Sequence, residues 1–327
     1  MKNKLISGVM ELSEKFTKNP SHVWMTCKGI TETAALIKEG LKDGKDFWLG
    51  YPKCLISSDR ETPPKENRLD QELFLYELIA GSINYQYWYG VHDCRPNNAG
   101  ATLMYELLDQ AFAEERSEIF GHDRLPNLCQ DVIGNFVSKL TLYRFPNLTD
   151  RIRHLREIAA GMGCYGYKSL RHSWRIEETS ETVVDKIKSG KIGVEKFIQL
   201  IITTYPGYGE DMFLKRIFLL VMMLYRRVQW FKDEIEKVPV PADYQIPKML
   251  SHLGCLYYSP LLQAKISNNE LIPRGSLEEC EIRATSIMVC KEIAELAGCS
   301  MCDVDTYLWL RRKDCEGAFH LTATSDY

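Results

Sequence analysis

One carboxylate is set apart by its neighbours. Asp243 follows Pro241 and Ala242 and precedes Tyr244-Gln-Ile-Pro247, so the fixed φ of the two prolines holds it in a defined direction at the start of a helix. A carboxylate beside a helix N-terminus favours its ionised form and suits the stabilisation of positive charge or the orientation of an amine; Asp is also a favoured N-cap residue. Upstream lies Thr204-Tyr-Pro-Gly-Tyr-Gly-Glu-Asp211. Gly207 and Gly209 permit positive φ and close backbone approach, so N–H groups ahead of the next helix can cradle a phosphate, the alternative being an ordinary turn. The next helix is expected over Met212 to Phe231, with Lys215 and Arg216 near its start and an apolar middle that reads as core.

Asn84-Tyr-Gln-Tyr-Trp-Tyr89 is unusually aromatic and precedes a segment containing Arg95. Rings with an amide-bearing Asn are what a pocket needs to sandwich a base and read its polar edge, and Arg95 can fork onto a carboxylate or phosphate; a buried aromatic stripe is the competing reading. Arg144, Arg151, Arg153, Arg156, Lys168, Arg171 and Arg175 form a basic run with Tyr143, Tyr165, Tyr167 and Trp174 interleaved. Cations with flat rings suit a phosphate backbone and an unstacked base, and a solvated helix face is the alternative. Near the end, Asp305-Thr-Tyr-Leu-Trp309 and Phe319 to Tyr327 add polar and aromatic groups; the terminus can return to line a site, a frayed end being the commoner alternative. Cys290, Cys299, Cys302 and Cys315 include one C-x-x-C pair, but their spacing fits no cluster and neither metal nor cofactor is expected.

The elements that must carry these groups are helical. Apolar residues recur at helical spacing through most of the chain and strand-like alternation is scarce, which predicts a mainly α protein. Thr149 to Gly161 shows an inward stripe of Ile152, Leu155, Ile158 and Ala159 with Gly161 as a C′ stop, and Ser276-Leu-Glu-Glu279 has the spacing of a capping box opening a helix to about Gly298. Asp59 to Asn67 reads as an exposed loop and Asp233 to Pro241 as the linker that delivers Asp243. At 327 residues the chain is expected to form one catalytic unit of two intimate helical lobes, its N- and C-terminal segments packing around a middle lobe of about 100–240. The longest apolar run, Ile217 to Tyr225, is too short to span a bilayer. With eleven scattered cysteines and a polar start, a cytoplasmic protein is expected. A net charge of −3 restricts any nucleic-acid surface to a local patch.

Taken together, a Pro-Gly-x-Gly hairpin followed by Pro-x-Asp opening a helix resembles the helix-hairpin-helix DNA glycosylase pattern, which implies a helical two-lobed architecture of that kind. Six motifs extend the resemblance over nearly the whole chain: Ser82-Ile-Asn-Tyr-Gln-Tyr-Trp88, Tyr205-Pro-Gly-Tyr-Gly209, Phe213-Leu-Lys-Arg216, Ala242-Asp-Tyr-Gln-Ile-Pro247, Glu281-Ile-Arg-Ala284 and Asp305-Thr-Tyr-Leu-Trp309. They are similar to those of the queuosine salvage proteins, which are helical nucleotide N-glycosylases, and of the related phage amino acid:DNA transferases. Departures from the salvage pattern at Asn84-Tyr-Gln-Tyr-Trp88, Lys215-Arg-Ile-Phe218 and Asp243-Tyr-Gln-Ile-Pro-Lys248 alter the pocket lining, and Arg95-Pro-Asn97 with the basic, aromatic middle fits a polymer better than a free nucleotide, which favours the DNA-modifying branch.

That branch implies a transferase that replaces the pyrophosphate of 5-pyrophosphomethyl-deoxyuridine in phage DNA with an amino acid such as glycine. Its partners would be double-stranded DNA and a small amino acid, with no membrane. Asn84, Tyr85 and Trp88 would hold a flipped base, and Trp309 would also bind substrate. Lys215 and Arg216 would neutralise the leaving pyrophosphate, and Asp243 would deprotonate the incoming amine. Arg95 or Arg283 would clamp the amino-acid carboxylate, while Gly207, Gly209, Arg151, Arg153, Lys168, Arg171 and Arg175 would contact DNA phosphates. The alternatives are an N-glycosylase releasing queuine from queuosine 5′-phosphate and a non-catalytic DNA-binding protein.

Overall fold

The computed structural model describes residues 4–42, 49–56, 66–88, 100–118, 125–162 and 182–327. Fourteen α-helices occur among them: α1 (Leu5–Lys18), α2 (Cys27–Lys42), α3 (Lys53–Ile56), α4 (Glu66–Ser82), α5 (Ala101–Glu118), α6 (Leu125–Leu142), α7 (Leu148–Gly161), α8 (Val183–Lys188), α9 (Val194–Thr204), α10 (Lys215–Val228), α11 (Gln245–His252), α12 (Pro260–Ser267), α13 (Leu277–Ala297) and α14 (Met301–Arg311). The protein is mainly helical, as its periodicity predicts. Two short strands, β1 (Val23–Met25) and β2 (Leu256–Tyr258), pair antiparallel with Trp24 opposite Tyr257.

The chain divides into two compact units. The first comprises residues 1–48, 211–222 and 232–327; the second comprises 49–210 and 223–231. In the first unit α13 is the central helix, with α1, α2 and α14 against it. Its limits follow from local chemistry: the Ser276 hydroxyl accepts the Glu279 N–H at one end, and Gly298 adopts φ +71° at the other. A helix buried on every side carries few charges without partners. Accordingly, the buried Glu281 carboxylate accepts the backbone N–H groups of Ser21, His22 and Val23 and so fixes the approach to β1. Gly29 of α2 lies so close to Gly254 that a Cβ would stand 2.0 Å from its carbonyl oxygen. α14 opens with a reciprocal box in which Ser300 and Asp303 satisfy each other's amides.

In the second unit α4 packs against α5, α6, α7 and α8. Glu77 of α4 is buried and paired with Arg227; burial raises its carboxyl, against which the guanidinium acts. Two expectations need correcting. Gly161 ends α7 without a left-handed turn, because the space is needed elsewhere: a Cβ there would meet the Tyr205 ring at 2.2 Å. The helix expected from Met212 begins at Lys215, because the Asp211 carboxylate captures the amides of Phe213 and Lys215 and turns the intervening chain. The loop expected over 59–67 lies outside the described residues as far as position 65.

Candidate active site

Asp243 reaches its position through a buried approach. Val238, Val240 and Ala242 are buried, and α11 starts two residues after the acid. Asp243 Oδ1 accepts the N–H groups of Gln245 at 2.7 Å and Ile246 at 3.2 Å, so the residue caps the first turn of α11. The cap occupies one oxygen. Oδ2 of this half-buried carboxylate makes no hydrogen bond among the described residues, so the acid has a second oxygen to present.

Lys215 begins α10 in the same unit and is 2% exposed. Burial lowers its ammonium to about 8, against the opposing pull of the Asp243 carboxylate; Arg216 adds to the depression and Asp305 opposes it. The lysine therefore sits within electrostatic reach of two acids and is poised to exchange a proton near neutrality. Leu214, just before it, holds φ +53°, a left-handed conformation costly for a branched residue. It is held by Asp211, whose Oδ1 accepts Phe213 N–H at 3.0 Å and whose Oδ2 accepts Lys215 N–H at 2.8 Å.

Arg283 of α13 is fully buried and engaged by the protein. Its Nη1 and Nη2 donate to the two oxygens of Asp211 at 2.7 and 2.6 Å, its Nε donates to the Ala242 carbonyl at 3.0 Å, and Nη1 also lies 3.3 Å from Glu279. The rings of Phe213 and Tyr327 lie 4.7 and 4.2 Å from its Cζ. Burial would lower the guanidinium and also raise Asp211, but their mutual attraction raises the first and lowers the second. A guanidinium with four of its donors so placed holds the site together; the carboxylate clamp expected of Arg283 would need those donors for a ligand. Arg216 is likewise buried at 1% exposure.

α14 contributes Asp305 and Trp309. The Arg312 guanidinium stacks 3.5 Å from the Trp309 ring centroid and donates to the Trp309 carbonyl at 2.7 Å. Burial lowers Arg312, and Asp243 raises it, so this half-buried cation also feels the carboxylate. Asp305, Asp211 and Arg312 were not assigned roles from the sequence. For Asp305 the signal was an acid on the same helix as Trp309; for Asp211 it was an acid four residues ahead of Lys215.

Asn84, Tyr85 and Trp88 are buried in the second unit. Arg151, fully buried, donates to the carbonyls of Pro146 at 2.7 Å, Tyr85 at 2.6 Å, Gln86 at 2.8 Å and Ile83, with its Cζ 4.5 Å from the Tyr85 ring centroid. It serves the aromatic segment and is not open to a phosphate. Arg153 forks onto Glu210 at 2.6 and 3.0 Å, holding that carboxyl down at about 2. The Gly207 N–H donates to Glu157 at 2.9 Å, and a Cβ there would lie 2.5 Å from His154. A Cβ at Gly209 would meet Ile202 at 2.6 Å. Close packing within the unit accounts for both glycines. Arg95, Lys168, Arg171 and Arg175 lie outside the described residues. His154, Glu157 and Glu210 bring ligand-type atoms within 4.8 Å of one another, a spacing a metal ion could use, although Arg153 already pairs with both acids.

Fold and site together define a helical protein whose centre is a capped carboxylate, a buried lysine and a second acid. The model of the queuosine salvage protein family matches residues 64–325, and the chain belongs to that family. Among curated relatives, a queuosine 5′-phosphate N-glycosylase/hydrolase of Dictyostelium discoideum is 22% identical over 303 residues, covering 84% of this chain and 83% of its own. That of Sphaerobacter thermophilus is 26% identical over 255 residues, covering 71% and 74%. That of Schizosaccharomyces pombe is 24% identical over 353 residues, covering 98% and 95%. The expected phage DNA transferase, with double-stranded DNA as its partner, is thereby corrected. The matching relatives carry the name of a nucleotide hydrolase. No helix among the described residues is long and apolar enough to cross a membrane.

Proposed function

We infer that the protein is an N-glycosyl hydrolase that releases queuine from queuosine 5′-phosphate. The observation that carries the reading is the second oxygen of Asp243, without a hydrogen bond among the described residues and within electrostatic reach of the buried Lys215, in a chain whose relatives are named for this reaction. Cleaving a ribosyl C1′–N bond sends the electron pair to the base and leaves an oxocarbenium-like sugar. Asp243 Oδ2 stabilises that charge and takes a proton from the water that adds to C1′. Lys215, protonated at neutral pH yet acidified by burial, gives its proton to the departing base. Asp305 keeps the ammonium charged in its buried setting, and Arg216 and Arg312 supply positive charge for the 5′-phosphate. The order α9, the tight turn Pro206–Gly209, then α10 supports reading the architecture as helix-hairpin-helix.

The test is to incubate the protein with queuosine 5′-phosphate and follow free queuine by mass spectrometry. Release by the parental chain, reduced about 10²- to 10⁴-fold by Asp243→Asn, is the expected result. Intact nucleotide after exhaustive incubation rejects the reading.

A further inference from the structure

Lys215 and Asp243 stand on different elements, α10 and the approach to α11, and neither element alone fixes their separation. An ion pair joins the two. Each oxygen of Asp211 takes one backbone amide of the turn before α10 and one nitrogen of Arg283: Oδ1 takes Phe213 N and Nη1, and Oδ2 takes Lys215 N and Nη2. The same guanidinium reaches, through Nε, the carbonyl of Ala242, the residue that precedes Asp243. A continuous path of hydrogen bonds therefore runs from the amide of Lys215 to the peptide bond that carries Asp243. The structure assigns to the Asp211–Arg283 pair the setting of Lys215 against Asp243, which makes Arg283 a positioning residue for both halves of the site.

Two further observations point the same way. Leu214 lies inside the captured turn at φ +53°, a strained conformation for a branched residue that persists only where its surroundings over-determine it. The pair is also buried at 1% exposure on both sides, where apolar residues of equal volume are often as stable or more so. Stability alone does not account for placing an ion pair there, whereas a fixed geometry does. Tyr327 covers the guanidinium at 4.2 Å and shares a 3.1 Å hydrogen bond with the buried His320, so the last turn of the described chain holds Arg283 in place.

The inference rests on the hydrolase reading for its chemistry, and its test carries a readout that does not. Arg283→Lys keeps the charge and loses the planar fork, and Asp211→Asn keeps one acceptor oxygen and loses the other. In variants that melt cooperatively, kcat on queuosine 5′-phosphate is expected to fall about 100-fold, the cost of misplacing catalytic groups by roughly 1 Å, with KM little changed. Hydrogen exchange should show the amides of Lys215 and Gln245 losing protection together. A folded Arg283→Lys variant with parental kcat, or loss of protection confined to one of the two amides, overturns the assignment. Should Arg283→Lys not fold, the decision passes to Tyr327→Ala, which uncovers the guanidinium and leaves its ion pair in place. Lower kcat with paired loss of protection is then expected, and parental values on both measures are fatal. If the parental chain releases no queuine, the hydrolase reading fails, while the exchange data still decide the positioning claim.

Discussion

At the scale of single residues, Asp243 and Lys215 invite opposite tests. Asp243 caps α11 and, on the proposed reading, offers its other oxygen to the reaction; Asn caps nearly as well as Asp. Asp243→Asn should therefore remove most of the rate while leaving Tm almost unmoved. A matching collapse of Tm would reduce the acid to a cap. Lys215 carries an amine whose folded pKa, about 8, lies below its ordinary 10.5 because of burial. Between those values the unfolded chain binds the extra proton, so stability should rise with pH across that window, and the lysine opposes folding at neutral pH. Lys215→Met should accordingly raise Tm at pH 7 while abolishing release of the base. In the parental enzyme the rate should fall as pH rises through about 8, since only the ammonium donates. An activity that climbs through that range would assign Lys215 the role of a base. The sequence marked both residues, one by its bracketing prolines and the other by its place at the head of a helix. It marked Arg283 for a different role and did not reveal its pairing with Asp211, because the two are 72 positions apart and meet only when α13 is in place.

At the scale of elements, legibility followed local chemistry. α13 runs between the Ser276 cap and Gly298 as the spacing predicts, because both ends are decided by groups within a turn of each other. α10 starts late because its true boundary depends on Asp211, whose capture of two amides overrides the apolar run Met212 to Leu214. Gly161 shows the same limit: α7 does stop there, but without the left-handed turn, and the missing side chain makes room for Tyr205, 44 positions further on. Glu281 illustrates an element-to-element tie that periodicity cannot reveal, since its carboxylate serves the amides of residues 21–23. Glu281→Gln turns one acceptor oxygen into a donor facing other donors. It should destabilise the protein by about 1–3 kcal/mol and lower Tm, while the folded fraction keeps its kcat. Unchanged Tm would mean that β1 holds its place without that carboxylate.

At the scale of the whole molecule, the choice of substrate is where a reading from sequence went astray, and the reason is physical. A run of arginines looks the same whether its charges face solvent or the interior. Arg151 is fully buried and donates to four backbone carbonyls, and Arg153 is matched by Glu210, so neither contributes to a track for a polyanion. Two of the seven cations that read as a phosphate track are therefore taken up inside the protein, and the proposed substrate is a single nucleotide. Salt dependence tests this directly. A polymer bound through many phosphates loses affinity with a log–log slope of about −0.9 per phosphate neutralised on B-DNA, so six contacts give a slope near −5. A nucleotide with one 5′-phosphate should give a slope no steeper than about −1 when kcat/KM for queuine release is followed from low to high salt. Adding duplex DNA at low salt should not inhibit release, because no site on this reading is shared with a polymer. A steep slope, or inhibition by DNA that salt relieves, would show that the chain presents a polyanion surface after all and that the free nucleotide is not its whole substrate.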